Sequence, residues 1–498
     1  MEKITDENNV LQMMEDLQEN NLARQVEEGK GPRRFFIQTF GCQQNENDSE
    51  KLAGILLAAG FTQALDYSDA DIILINSCSI RENADDRLFG HLGILKKQYE
   101  DSGRQLVVGV CGCMVTRPQL VEKIKRSYRH VKILLTPQQI HELPAKLHRV
   151  FIERKSALET SMEERIVEDI PQARERKFRA LVSIMYGCNH FCTYCVVPFA
   201  RGRQRSRRAG EIIREVQGLA AEGFSEIMLL GQNVNAWGLD SGHKALKFAR
   251  SRGEAELLKV AKAELSPETF PELLAALAQI PGIKCIRYMS PHPRDFTAQM
   301  VSCLKLFPEV ESRLHLPLQS GSDKILKDMN RGYDLESFRQ LVNACREVRP
   351  ELALTTDIIV GFPSETESDF EATLAAVEEF KFQSAYTFIF SPRPGTRAAK
   401  MPELPADVTQ ARFKRLLELQ NALTYDSYKA LLGSTREVLV EGPSKQQPGV
   451  YTARDHAFHL FNLSLPPNRD WEGERLMIKV SEARPFSAEA ELSRVLSA

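Results

Sequence analysis

No run in this chain approaches the roughly 18 apolar residues of a membrane-spanning helix, so no bilayer anchor is expected. Net charge is almost absent: 65 Lys and Arg against 67 Asp and Glu leave −2. Such a balance argues neither for nor against nucleic acid, because local patches decide that. The 10 cysteines in 498 residues are too few for a disulfide scaffold. They are clustered, which points to metal in a cytosolic protein. A basic leader is also missing. Residues 1–32 carry Glu2, Asp6, Glu7, Glu15, Asp16 and Glu19, against a secretory or mitochondrial presequence and for a cytoplasmic protein. No internal repeat is evident beyond a β–α periodicity. What is present, 43% hydrophobic and 27% charged residues, is a globular composition long enough for about three domains.

Residues 1–32 read as a polar extension, mobile or loosely helical. From 33 to about 150 strands and helices alternate. Strands are expected at 35–40, 71–76, 106–110 and 131–135, and helices at 47–59, closed by Gly60, and 85–99. Alternation of this kind implies an open parallel sheet with helices on both faces. The first three of these strands each end in a cysteine: Cys42, Cys78 and Cys113, spaced by 36 and 35 residues. Ligands of open parallel sheets bind beyond the carboxyl ends of the strands, so three thiols converge there. Cys111 is an alternative to Cys113, which is preferred because it follows Gly112 in the loop.

Residues 151–177 are charge-rich and read as a linker. The run 180–185 reads as a buried strand and leads into Gly187-Cys188-Asn189-His190-Phe191-Cys192-Thr193-Tyr194-Cys195. An iron–sulfur cubane is normally held by four thiolates, so the three of Cys188, Cys192 and Cys195 leave one iron open. Further strands are expected at 226–230, 283–289, 312–317, 352–360 and 384–390, with helices between them. Six β–α units suggest an open partial barrel whose working groups sit at the strand C-termini. Gly231-Gln232-Asn233, Gln319-Ser320-Gly321-Ser322 and Gly361-Phe362-Pro363 end such strands and suit a nucleoside cofactor. Residues 405–432 look like a bridging helix. Short β runs at 436–441, 456–462 and 474–481 suggest a small β-barrel.

The Cys-x3-Cys-x2-Cys spacing resembles that of radical S-adenosylmethionine (SAM) enzymes. Over roughly residues 33–490 the chain resembles the methylthiotransferase family. The resemblance is carried by Phe40-Gly41-Cys42-Gln43-Gln44-Asn45, Asn76-Ser77-Cys78-Ser79-Ile80-Arg81-Glu82-Asn83-Ala84, Gly112-Cys113-Met114, and the loop 186–195 continuing to Arg201-Gly202-Arg203. Gly231-Gln232-Asn233-Val234-Asn235, Ser290-Pro291-His292-Pro293, 315–322 and 356–361 also match. The Asn-Ser-Cys-Ser-Ile-Arg-Glu stretch favours the branch acting on N(6)-isopentenyladenosine over those acting on threonylcarbamoyladenosine or a ribosomal protein. Two departures stand out. Gln44 replaces the family's usual methionine, and residues 239–266 are longer than usual, with Lys244, Lys247, Arg250, Arg252, Lys259 and Lys262 reading as a solvated helix rather than a tRNA contact.

The resemblance implies an N-terminal methylthiotransferase domain (33–150), a radical SAM partial (β/α)6 barrel with its bridging helix (178–432) and an RNA-binding TRAM β-barrel (433–498). It implies two [4Fe–4S] clusters, on Cys42, Cys78 and Cys113 and on Cys188, Cys192 and Cys195. It also implies SAM, with Gly231, Gln232, Asn233, Gln319 and Ser320 as expected contacts. The implied reaction puts a methylthio group on carbon 2 of the adenine at position 37 of tRNA. The implied partners are tRNA, an electron donor such as flavodoxin or ferredoxin and a sulfur or cluster donor, with the enzyme monomeric. Arg201, Arg203, Arg205, Arg207 and Arg208, five arginines in eight residues, are expected on the RNA backbone, since arginine chelates phosphate. A non-catalytic iron–sulfur RNA-binding protein is the alternative of another class.

Overall fold

The computed structural model describes residues 2–27, 30–79, 84–102, 106–240, 242–445, 447–467 and 469–496. Ile80, Arg81, Glu82 and Asn83 of the motif at 76–84 lie outside them. Two compact units are present. One comprises 1–175, 186–189 and 196–205, the other 176–185, 190–195 and 206–498.

In the first unit, β1 (Arg34–Phe40), β2 (Thr62–Gln63), β3 (Ile72–Ser77), β4 (Val107–Gly112) and β5 (Val131–Leu135) form a parallel sheet in the order β2-β1-β3-β4-β5. All six residues of β3 are buried, as expected of a strand covered on both faces. Ile72 and Leu74 pack with Leu52, Leu56 and Ile133 on one face; Ile73 and Ile75 pack with Leu88, Leu92 and Ile124 on the other. The short edge strand β2 was not expected. It lies outside β1, so the three cysteine-bearing strands remain neighbours.

Two expectations change here. The N-terminal extension is the helix α1 (Glu2–Glu27) and it is docked. Leu17 is buried, Gln18 and Asn21 donate to the carbonyls of Ala58 and Ala59, and Arg24 pairs with Asp71. Its side chains thereby satisfy carbonyls left free at the end of the next helix, α2 (Gln43–Ala58). The charge-rich stretch after 155 is also packed. Ala157 bridges to Ile133 beside β5, Ala173 N donates to Glu50 O, and Arg174 pairs with Glu50.

Six strands of the second unit build its larger half: Arg179–Ser183, Glu226–Leu230, Cys285–Tyr288, Arg313–His315, Ala353–Val360 and Ser384–Ile389. They form two parallel three-stranded sheets. Hydrogen bonds from Ile286 N to Glu309 O and from Glu311 N to Ile286 O join the halves into one open partial barrel. Its strands pack against the surrounding helices through the unit's apolar core, where Val182, Leu229, Ile286, Leu314, Ile358 and Val360 meet Ile212, Leu273, Phe338 and Val377. One end is closed by charge: Glu226 pairs with the half-buried Arg179 and with Arg287, and Arg287 also with Glu311; Glu226, Arg287 and Glu311 are buried.

The 239–266 stretch folds as two helices, His243–Ser251 and Glu254–Ala261, with Leu257 and Val260 buried and Arg252 paired to Glu272. The bridging helix is Ala406–Lys429. Beyond it, Thr435–Pro443, Val450–Arg454, Leu460–Ser464, Ser487–Val495 and Arg475–Arg484 close into a barrel in that order around Val440, Phe461, Leu463 and Ile478. Of these, Val450–Arg454 and Ser487–Val495 were not expected. The latter buries Ala488 and Ala490 between exposed or half-buried polar residues, a weak apolar alternation.

Candidate metal centres

In the first unit, the parallel register places Phe40 beside Ser77 and Ser77 beside Gly112. Cys42, Cys78 and Cys113 therefore leave the same edge of three adjacent strands. Cys42 is exposed and caps α2; Cys78 and Cys113 are buried. Burial pushes the Cys113 thiol up to about 12; Arg201 opposes this, while the nearby Cys78 and Cys42 thiols add to it. Three thiols gathered beyond adjacent strand ends, with Cys113 disfavoured as a free thiolate, suit a cationic cluster that would stabilise it. Cys111 lies within β4 and its side chain belongs to the apolar cluster of Ile133 and Leu135, so it packs as core.

Asparagines hold this edge together. Asn76 donates to Asn45 O and to Ser49 Oγ, each at 2.9 Å; Asn45 Nδ2 donates back to Asn76 Oδ1 at 2.9 Å. The Cys42 thiol donates to Asn45 Oδ1 at 3.4 Å. Gly112 has φ 93° and ψ −166°, a conformation open essentially to glycine alone. A Cβ there would stand 2.4 Å from Asn76 Oδ1.

The five-arginine expectation needs correction at two positions. Arg201 is buried with the first unit; its Nε–H donates to Cys113 Sγ at 3.2 Å and its Nη2 lies 2.8 Å from Asp48. Arg207 is buried in the second unit, donating to Ser183 O and pairing with Glu215 at 2.7 Å. Side chains already desolvated and committed to carboxylates are not offered to phosphate. Arg205 is half-buried and donates to Arg201 O. Arg203 and Arg208 are exposed.

The flanks of the Cys188–Cys195 loop follow different units. Cys188 packs with the first, where its N–H donates to Gly202 O. Gly187 has φ 73°, and a Cβ on it would meet Arg203 O at 2.1 Å, which excludes other residues. Cys192 and Cys195 belong to the second unit. Thr193 ties the loop down by donating to Met329 O and Asp328 O and accepting from Ala398 N. The buried Arg331 donates to Cys192 Sγ and the Tyr194 hydroxyl, each at 3.4 Å, and to Pro317 O.

His190 is anchored from the strand ends. Asp295 Oδ2 lies 2.5 Å from His190 Nε2 and accepts from Asn233 Nδ2 at 2.7 Å, while His292 stacks on His190 at 4.1 Å. Burial works to raise the Asp295 pKa, but the bonds from His190 and Asn233 outweigh it and hold the carboxyl below its usual value. Burial, with Arg331 and His190 nearby, keeps His292 well below the ordinary histidine range. Of the expected SAM contacts, Asn233 is thus linked to the cysteine loop through Asp295. Gly231 follows its strand with Met185 packed against it, and Gln232 follows in turn. Gln319 takes a left-handed φ of 73° and bridges to Ile358; Ser320 is fully buried with its hydroxyl engaged by Thr373 and Ser322. Asp48, Asp295 and Arg331 were not singled out from the sequence as site residues, and Asn76 entered only as the first residue of the motif at 76–84. Among the described residues no helix is long and apolar enough to cross a membrane.

Residues 182–377 match the model described as the Radical SAM superfamily, and residues 34–136 the model of the Uncharacterized protein family UPF0004. A radical S-adenosylmethionine methyltransferase from Kitasatospora setae superposes with TM-score 0.49 at 15% identity, covering 74% of this chain and 75% of that one. The partial barrel and its cysteine loop define a radical SAM enzyme. Three curated relatives carry the name tRNA-2-methylthio-N(6)-dimethylallyladenosine synthase. That of Acetivibrio thermocellus is 38% identical over 97% of this chain and 95% of its own length. That of Clostridium tetani is 40% identical over 95% and 99%, and that of Bacillus pumilus 40% over 92% and 86%. The chain belongs to the tRNA-2-methylthio-N(6)-dimethylallyladenosine synthase family.

Proposed function

We propose that the protein adds a methylthio group to carbon 2 of N(6)-isopentenyladenosine at position 37 of tRNA, beside the anticodon. The observation that carries this reading is the family relationship, at about 40% identity over nearly the whole of both chains.

Two three-cysteine sets support a division of labour. Cys42, Cys78 and Cys113 would hold the cluster concerned with sulfur, and Cys188, Cys192 and Cys195 the cluster that binds SAM. Each set offers three thiols, the donor type such clusters require, and Cys78, Cys113, Cys188 and Cys192 are buried. When bound, the clusters and two molecules of SAM supply methyl-sulfur activation and a 5′-deoxyadenosyl radical, chemistry that side chains lack. The chain's own residues position and shield. Thr193, Asn233 and Asp295 fix the cysteine loop, and Arg331 compensates charge at Cys192. The target base must leave its stack to react. Exposed Arg203 and Arg208 suit the RNA backbone, and the C-terminal barrel adds affinity. A flavodoxin or ferredoxin would deliver electrons and a separate donor the sulfur, with the enzyme acting as a cytoplasmic monomer.

The test is nucleoside analysis of tRNA from a strain lacking the gene. Unmodified N(6)-isopentenyladenosine should accumulate and return to the methylthio form on complementation. Loss of a methylthio group from threonylcarbamoyladenosine or a ribosomal protein instead refutes this substrate.

A further inference from the structure

Arg201 lies six positions after Cys195 in the chain, yet its guanidinium is engaged with the other cysteine set. It is 4% exposed. Its Nε–H donates to Cys113 Sγ at 3.2 Å, and its Nη2 lies 2.8 Å from Asp48 Oδ2. Asp48 is also buried and sits on α2, the helix that Cys42 caps. A charge buried so deeply is costly unless it is paired and hydrogen-bonded, and here its two partners are a carboxylate and a thiol assigned to a cluster. Burial disfavours the charged guanidinium, but Asp48, Cys113 and Cys42 outweigh burial and keep it charged.

We propose that Arg201 and Asp48 form a positioning pair that sets the reduction potential of the first cluster; this rests on Cys42, Cys78 and Cys113 being its ligands. Reduction adds negative charge to a cluster. An N–H donated to a ligand sulfur and a neighbouring positive charge favour the reduced form and raise the potential. Asp48 aims the guanidinium and cancels part of its field. The two residues therefore act with opposite sign on one quantity, which a purely structural pair would not do.

The experiment uses the full-length, anaerobically reconstituted protein with Cys188→Ala, Cys192→Ala and Cys195→Ala, so that only the first cluster remains. Iron content, circular dichroism and the midpoint potential by spectroscopic redox titration are measured for that background. The same measurements follow with Arg201→Gln, Arg201→Lys or Asp48→Asn added. The Gln variant should shift the potential down, the Lys variant should lie between it and the background, and Asp48→Asn should shift it up. If Arg201→Gln folds but loses its iron, anchoring by Arg201 is supported and the upward shift in Asp48→Asn carries the potential. Unchanged potentials in iron-loaded variants, or shifts of one sign in Arg201→Gln and Asp48→Asn, overturn the proposal. A folded background without iron refutes the two-cluster assignment itself, a failure visible before any Arg201 variant is compared.

Discussion

Replacing Gly112 with Ala tests whether backbone geometry presents Cys113. Gly112 closes β4 at φ 93° and ψ −166°, a region that costs a residue with a side chain about 1–3 kcal/mol. The added methyl would also stand 2.4 Å from Asn76 Oδ1 and 2.5 Å from Ser77 O. The backbone oxygen is fixed by the sheet, so Asn76 must move and lose its bond with Asn45. Leaving such buried groups unpaired costs about another 1–3 kcal/mol. The sum is roughly 2–6 kcal/mol, concentrated where Cys42, Cys78 and Cys113 emerge. Gly90 is the control: it is exposed in the helix Ala84–Ser102, and an added methyl there would meet nothing within 4 Å. Ala at that position should stabilise by about 0.5–1 kcal/mol. Hydrogen exchange of the β4 amides reads local stability, and iron per chain reads the site. Gly112→Ala should weaken β4 protection and shed about half of the iron, the share of one cluster in two. A loss below about 0.5 kcal/mol, the range of an inconsequential surface change, with full iron would refute the reasoning.

Other perturbations separate the parts. Cys78→Ala should abolish methylthiolation while sparing reductive SAM cleavage, and Cys192→Ala should abolish 5′-deoxyadenosine formation; chromatography of both products decides, and methylthiolated tRNA from a folded Cys78→Ala protein would sink the assignment. Glu226→Gln strips one carboxylate from the half-buried Arg179 and the buried Arg287 and should cost about 3–5 kcal/mol in denaturant unfolding. Burial alone would raise the Glu226 pKa, but Arg287 and Arg179 lower it overall. Its contribution is therefore present above the unfolded glutamate pKa and fades as pH falls toward the depressed native value, so the variant should show a flatter acid limb. The C-terminal barrel is poorly suited to deletion, because Arg287 reaches Asp455 O and His456 O and packs on Phe458. Exchanging the exposed Lys479 and Arg494 for Glu should instead weaken tRNA binding and shallow its salt dependence, whereas unchanged affinity would assign the barrel another role.

What the sequence determined by itself was local or periodic. The placement of Cys42, Cys78 and Cys113 beyond adjacent strand ends was legible because strand ends follow from apolar runs and turn residues within a few positions. The alternation that specifies parallel sheets with helices on both faces is equally a property of short windows. The tertiary structure decided what depends on distant partners. The polar helix Glu2–Glu27 shows little amphipathic pattern, yet it docks because the carbonyls at the end of α2 lack donors. The charge-rich stretch after 155 looked like a free linker but finds Glu50 and the edge of β5. Arg201 and Arg203 sit two apart in one basic run, and no local rule tells them apart. Arg201 is buried because Asp48, 153 positions earlier, and Cys113 wait for it in the fold. Burying a charge requires partners, and only the folded chain says where those partners stand.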